Sequence, residues 1–192
     1  MDGIRNTDDQ ILAAFLRLTA ERGPDAVTTR EIAQEAGVNP VTLFRRFGDK
    51  ATIVVEAIRR YSPADRLESA DPGVDPENAA EGLVACLLFL TELVQEHRKV
   101  PGLPLAKMEF ANLPQVRAEM KKIAEAIYGY LRRALAQAAP ALRPEVDHHV
   151  TILQLIGLLR TARQFGELGV AGEPQGEEWR PLFQAAIRPL LR

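Results

Sequence analysis

The sequence predicts an all-α protein: an N-terminal three-helix unit built around a helix-turn-helix, followed by a second helical domain. Three observations carry this reading. Apolar residues recur at three- and four-residue spacing along most of the chain, and alternating β-branched runs of strand length are missing. A Gly-Val-Asn-Pro break at residues 37–40 stops one short helix and starts another. Between Ser62 and Asn78, three prolines, a glycine and several acids interrupt the apolar pattern. A chain of 192 residues is long enough for two small domains. The expected division is residues 1–61, a linker region at 62–78, and residues 79–192.

The first helix is expected from about Thr7 to Arg22, with Ile11, Leu12, Phe15, Leu16 and Leu18 near helical spacing. Thr7 reads as its N-cap and Gln10 as the reciprocal capping-box residue. Asp8 and Asp9 would then face the positive end of the helix dipole. Gly23-Pro24 ends it. The second helix is expected from Thr29 to Ala36, with Ile32, Ala33 and Ala36 inward. Gly37 can take the left-handed conformation that closes a helix. Asn39 is then a good N-cap, and Pro40 a good first residue, because its missing N–H costs nothing there. The third helix runs from Pro40 to Phe47. Leu43 and Phe47 face inward, and Thr42, Arg45 and Arg46 face out. Gly48 stops it, and Asp49 caps a fourth helix over Lys50–Tyr61. Further helices are expected at about 76–97, 104–111, 114–138, 144–168 and 176–191, most of them opened by proline.

Composition narrows the function classes. The formal net charge is −2, but its distribution is uneven. Residues 1–36 carry four arginines against seven acids, and residues 37–60 carry five cations against two acids. This local positive excess follows the Gly37 break and is suited to phosphates. With one cysteine no internal disulfide forms, which fits a cytoplasmic setting. The start, MDGIRNTDDQ, has no basic segment followed by an apolar run, so no signal peptide is expected. No apolar run is long enough to span a bilayer. A Gly-rich phosphate loop, GxSxG, HExxH and cysteine clusters are all missing, so no enzyme and no cofactor are expected. His148 and His149 are adjacent and would point in different directions on a helix, so no metal site is expected.

A helix, a short turn containing glycine, and a second helix have the spacing of the helix-turn-helix. In that motif the second helix lies in the DNA major groove. Its outward side needs small apolar groups for thymine methyls, and Val41 and Thr42 supply them. It also needs donors for phosphates and base edges, and Arg45 and Arg46 supply these. A plain helical bundle with Arg45 and Arg46 on a solvated face is the competing reading.

The run Thr28-Thr29-Arg30-Glu31-Ile32-Ala33, Ala36-Gly37-Val38-Asn39, Thr42-Leu43-Phe44-Arg45-Arg46-Phe47 and Lys50 resembles the DNA-binding region of TetR/AcrR-type transcriptional regulators, over about residues 8–61. Two positions depart from the family pattern. Phe44 stands where tyrosine is usual and lacks a hydroxyl that commonly reaches a phosphate. Asn39 stands where serine or threonine is usual and keeps a capping oxygen. The resemblance implies that Thr29 and Lys50 bind phosphates and that Arg30 reaches a base edge or phosphate. It implies that Pro40, Val41 and Thr42 meet the groove floor, and that Phe44 and Arg46 lie against the backbone or a base. The direction of Arg45 varies within the family.

For the second domain the resemblance implies homodimerisation, a palindromic double-stranded DNA operator and a small-molecule effector. The sequence supports pairing independently. Apolar residues nearly surround the helix at 144–168, so it needs partners on several sides. Leu153, Gly157 and Arg160 are the expected contacts there, with Phe183 and Ile187 on the last helix. Candidate effector contacts are Cys86, Phe89, Leu93 and Met108, with Glu109, Tyr128, Gln154 and Leu155. The function expected is a sequence-specific DNA-binding repressor released by a small apolar or amphipathic effector. Alternatives are a ligand-independent dimeric regulator and a helical small-molecule-binding protein or enzyme.

Overall fold

The computed structural model describes residues 6–23, 25–98 and 113–192. Along the sequence it forms two compact units. One is Met1–Pro63 with Glu96–Ile123, and the other is Ala64–Gln95 with Ala124–Arg192. The expected helix at 104–111 lies outside the described residues.

The first unit opens with α1 (Thr7–Arg22), α2 (Thr29–Glu35), α3 (Pro40–Phe47) and α4 (Lys50–Tyr61). The N-cap of α1 is Asn6 rather than Thr7, and its side chain accepts from the Asp8 N–H. Asp8 and Asp9 occupy the first turn as expected. Thr28 and Glu31 form a reciprocal capping box at the start of α2. Gly37 closes α2 with φ 67°. The Asn39 side chain then accepts from the Val41 N–H at 2.8 Å, opening α3 behind Pro40. Asp49 caps α4 by accepting from the Thr52 N–H at 2.7 Å. The inward faces meet in one core of Ile11, Phe15, Ile32, Leu43, Phe47, Ile53 and Ile58, with Val116 packed among them. Fully burying such side chains is worth about 1.5–3 kcal/mol each, so this core holds α3 in place.

The second unit contains α5 (Ala64–Ser69) and most of α6 (Ala79–Arg98). It also takes the C-terminal part of α7 (Pro114–Ala138), then α8 (His148–Glu167) and α9 (Trp179–Ile187). The stretch 62–78 is more ordered than its composition suggests. It holds α5, and both Leu67 and Val74 are buried. Arg133 donates to the Leu67 carbonyl at 2.6 Å and the Ala70 carbonyl at 3.2 Å, satisfying groups at the C-terminal end of α5. Gln137 accepts from the Val74 N–H and donates to Asp71. These long-range anchors leave no signature in a local reading of Pro, Gly and Asp.

The helix expected from Pro144 begins at His148 instead. The Asp147 side chain caps it by accepting from the Val150 N–H, and Pro144 falls in the preceding turn. On α9, Trp179 and Phe183 stack with centroids 5.4 Å apart, and both are buried with Ile187. Among the described residues there is no strand. A single antiparallel bridge joins Leu142 to Leu191.

Candidate nucleic-acid interface

The outward side of α3 follows from its short amphipathic sequence, PVTLFRRF. Leu43 and Phe47 are four residues apart and buried, which turns the rest of the helix outward. Val41 is 73% exposed and Phe44 51%, so the outer side of α3 carries bare apolar surface. Pro40, Arg45 and Arg46 are exposed, and Thr42 is half-buried. Arg30 is exposed beside Thr29, which is half-buried at the first position of α2. Lys50 is half-buried at the first position of α4. All nine sequence-predicted contact residues thus retain some exposed surface, on α2, α3 and the start of α4.

The cations are not equivalent. Arg46 on α3 pairs with Asp8 in the first turn of α1, Nη1 to Oδ1 at 2.9 Å. Arg60 on α4 pairs with Asp9. Arg59 bridges Glu56 at 2.6 Å and Glu119 at 2.9 Å. Much of the positive excess at 37–60 is therefore taken up by acids of the same unit. Among the described residues, Arg30 and Arg45 pair with no acid. The arginine whose direction the resemblance leaves open, Arg45, is the one on α3 that keeps its full charge toward solvent.

Two carboxylates brace this face. Glu31 is held down to about 2 by the Thr28 hydroxyl, the Thr28 N–H and Arg22. Its partner Arg22 lies on α1, so the same carboxylate caps α2 and ties it to α1. Burial pushes Glu119 up, but Arg59 and Lys122 outweigh this and hold it below its ordinary value. Sequence reasoning passed over the Thr28–Glu31 box, although its T-x-x-E spacing is visible in the sequence. The Asp8–Arg46 pair is 38 residues apart and leaves no local signal.

The candidate effector residues in the second unit differ in their surroundings. Cys86 and Leu93 are buried, and Phe89 contacts Tyr130 with ring centroids 5.6 Å apart. Burial pushes the Cys86 thiol up. The Tyr128 hydroxyl lies 2.9 Å from His149 Nδ1. Gln154 and Leu155 line a cavity of about 240 Å³ with Thr151, Ala186 and Leu190. Met108 and Glu109 lie outside the described residues. Of the expected dimer contacts, Leu153 and Arg160 are exposed on α8 and Gly157 is partly exposed, with nothing near its missing Cβ. Phe183 and Ile187 are 0% and 1% exposed, so their side chains serve the subunit's own core rather than an outer face. Helical spacing alone could not say which side of α9 turns inward. Leu182, at 38% exposed, lies on its open side.

An α2-turn-α3 unit on its own core, with a bare apolar and cationic outer face, has the form of a helix-turn-helix. Residues 11–57 match the model for bacterial regulatory proteins of the tetR family. The chain is 26% identical over 164 residues to the HTH-type transcriptional repressor BdcR of Escherichia coli (strain K12), covering 83% of this chain and 81% of BdcR. Against two uncharacterized HTH-type regulators of Bacillus subtilis (strain 168) the match spans only 31% and 42% of their length. Among solved structures, native NalD of Pseudomonas aeruginosa has a TM-score of 0.72 at 20% identity, with 97% of both chains covered. It is described as the secondary repressor of the MexAB-OprM multidrug efflux pump. SmeT of Stenotrophomonas maltophilia, repressor of the efflux pump SmeDEF, has a TM-score of 0.70 at 16% identity, covering 98% of this chain and 92% of that one. SmeT is also known as a complex with triclosan, at a TM-score of 0.65. At these identities the structural likeness establishes the fold.

Proposed function

We propose that this protein is a homodimeric, sequence-specific DNA-binding transcriptional repressor that leaves its operator when a small apolar or amphipathic molecule binds the second unit. The observation that carries the reading is the outer face of α3. Val41, Phe44 and Arg45 are exposed on a helix fixed from behind by Leu43 and Phe47. Val41 and Thr42 offer methyl groups to thymine, and Arg45 and Arg30 offer uncommitted charge to phosphates or guanine edges. Dimerisation is supported by the exposed apolar residues Val150 and Leu153 on α8 and Leu182 on α9. Two copies related by a two-fold axis would present α3 to successive major grooves, about 34 Å apart, and read a palindrome. The triclosan complex of SmeT supports an effector of small aromatic character for this chain. A cytoplasmic setting fits this role. Among the described residues no helix is long and apolar enough to cross a membrane.

The test is a fluorescence-anisotropy titration of the labelled duplex upstream of the coding region, repeated with excess unrelated duplex and with triclosan as a probe effector. Competitor-resistant binding that weakens with salt supports the regulator, and release by the probe supports the effector site. Binding that the unrelated duplex removes completely counts against an operator in that region.

A further inference from the structure

We infer that Asp8 is a built-in competitor of DNA for Arg46, so that a carboxylate on α1 sets how much charge the recognition helix offers to a phosphate. The inference rests on the DNA-binding reading above. Arg46 is in the last turn of α3, yet its Nη1 reaches Asp8 Oδ1 on α1 at 2.9 Å. Toward an approaching phosphate the pair is electrically neutral, whereas Arg45 beside it carries its charge undiminished. Both partners are more than a third exposed, at 37% and 41%. An ion pair that open to water is weak and easily exchanged for another anion.

The pair is not what holds α1 to the unit. Ile11, Leu12 and Phe15 of that helix are buried in the core, and its first turn has a second tie in Asp9–Arg60. Asp8 also sits in the first turn of a sixteen-residue helix, beside the positive end of its dipole. The Asp8 carboxylate thus keeps a favourable neighbour in the start of α1 when Arg46 leaves it. On DNA, Arg46 gains a phosphate partner only by loosening its hold on that carboxylate.

The alternative is that Asp8–Arg46 is a brace that merely steadies α3. The two differ in sign. A competitor makes Asp8→Asn and Arg46→Ala move DNA affinity in opposite directions, whereas a brace makes both weaken it. Because a phosphate contact is independent of sequence, a random-sequence duplex of about 30 base pairs serves as the probe, and no operator needs to be known. Dissociation constants would be measured at two salt concentrations for the wild type, Asp8→Asn, Arg46→Ala and the double variant, with a thermal melt of each.

Asp8→Asn is expected to bind about two- to fivefold tighter, the range an exposed pair can withhold. Its salt dependence is expected to steepen by up to about 0.9 in log–log slope, one more phosphate neutralised. Arg46→Ala is expected to bind more weakly, and Asp8→Asn to gain little in the Arg46→Ala background. Weaker or unchanged binding by Asp8→Asn, with an unchanged melt, overturns the inference while leaving DNA binding intact. An equal gain with and without Arg46 also overturns it, since any lost negative charge would then do. Failure of the wild type to bind any duplex at low salt overturns the DNA-binding reading and this inference with it.

Discussion

Arg45 and Arg46 are neighbours in sequence and opposites in circumstance. Arg45 pairs with no acid among the described residues, while Arg46 is held by Asp8. Arg45→Ala is therefore expected to cost at least tenfold in DNA affinity and to leave the melting temperature within about 1 °C, because surface changes away from special features fall within about 0.5 kcal/mol. Titration and a thermal melt on the same sample check both. Thr42→Ala should behave likewise, since Thr42 is not part of the core. Glu31 adds a pH dependence. Its carboxyl is held at about 2, below an ordinary value of 4.5, so the stability it lends is fully present above about 4.5 and is lost as pH falls toward 2. Glu31→Gln is expected to melt below the wild type at neutral pH. The gap should narrow between pH 4.5 and 2, as read by thermal melts across that range. The outward set of α3 was legible in the sequence because Leu43 and Phe47 fix its phase. Which arginine keeps its charge was not, because Asp8 lies 38 residues from Arg46 and only the packing of α1 on the other helices brings them together.

The turn between α2 and α3 concentrates the local rules. Gly37 has φ 67° with open space where a Cβ would go, so Gly37→Ala meets no clash and pays only the left-handed backbone cost, about 1–2 kcal/mol. Asn39→Ala removes the cap on the Val41 N–H and is expected to cost about 1 kcal/mol. Chemical denaturation of each variant checks these values. Such elements could be read directly from the sequence, because Gly, Asn-Pro and Asp49 encode geometry within a few residues. The later helices were harder. Proline marks a permitted start but does not compel one, and at α8 the cap Asp147 decided against Pro144. The segment 62–78 looked like a linker because its anchors, Arg133 and Gln137, come from α7 more than sixty residues away.

The two copies proposed here would meet through α8 and α9, and the structure divides their residues sharply. Leu153 is exposed, so Leu153→Asp is expected to shift the protein to a monomer in sedimentation while leaving its helix content unchanged. Phe183 is fully buried, so Phe183→Ala should cost about 3–5 kcal/mol as a cavity in the subunit itself. Apolar spacing in α9 identified a helix with something to bury, but not the partner it buries against. Of the candidate effector residues, Cys86 and Leu93 are buried, and Gln154 and Leu155 line a cavity with α9 and the residues just after it. If the exposed side of α3 reads sequence, selection of duplexes from a random pool by the wild-type protein, run in parallel with Arg45→Ala, will show it. An inverted repeat is expected to emerge with half-sites about one helical turn apart, and Arg45→Ala is expected to enrich it weakly or not at all. A wild-type pool that stays random while the protein remains folded would contradict this reading.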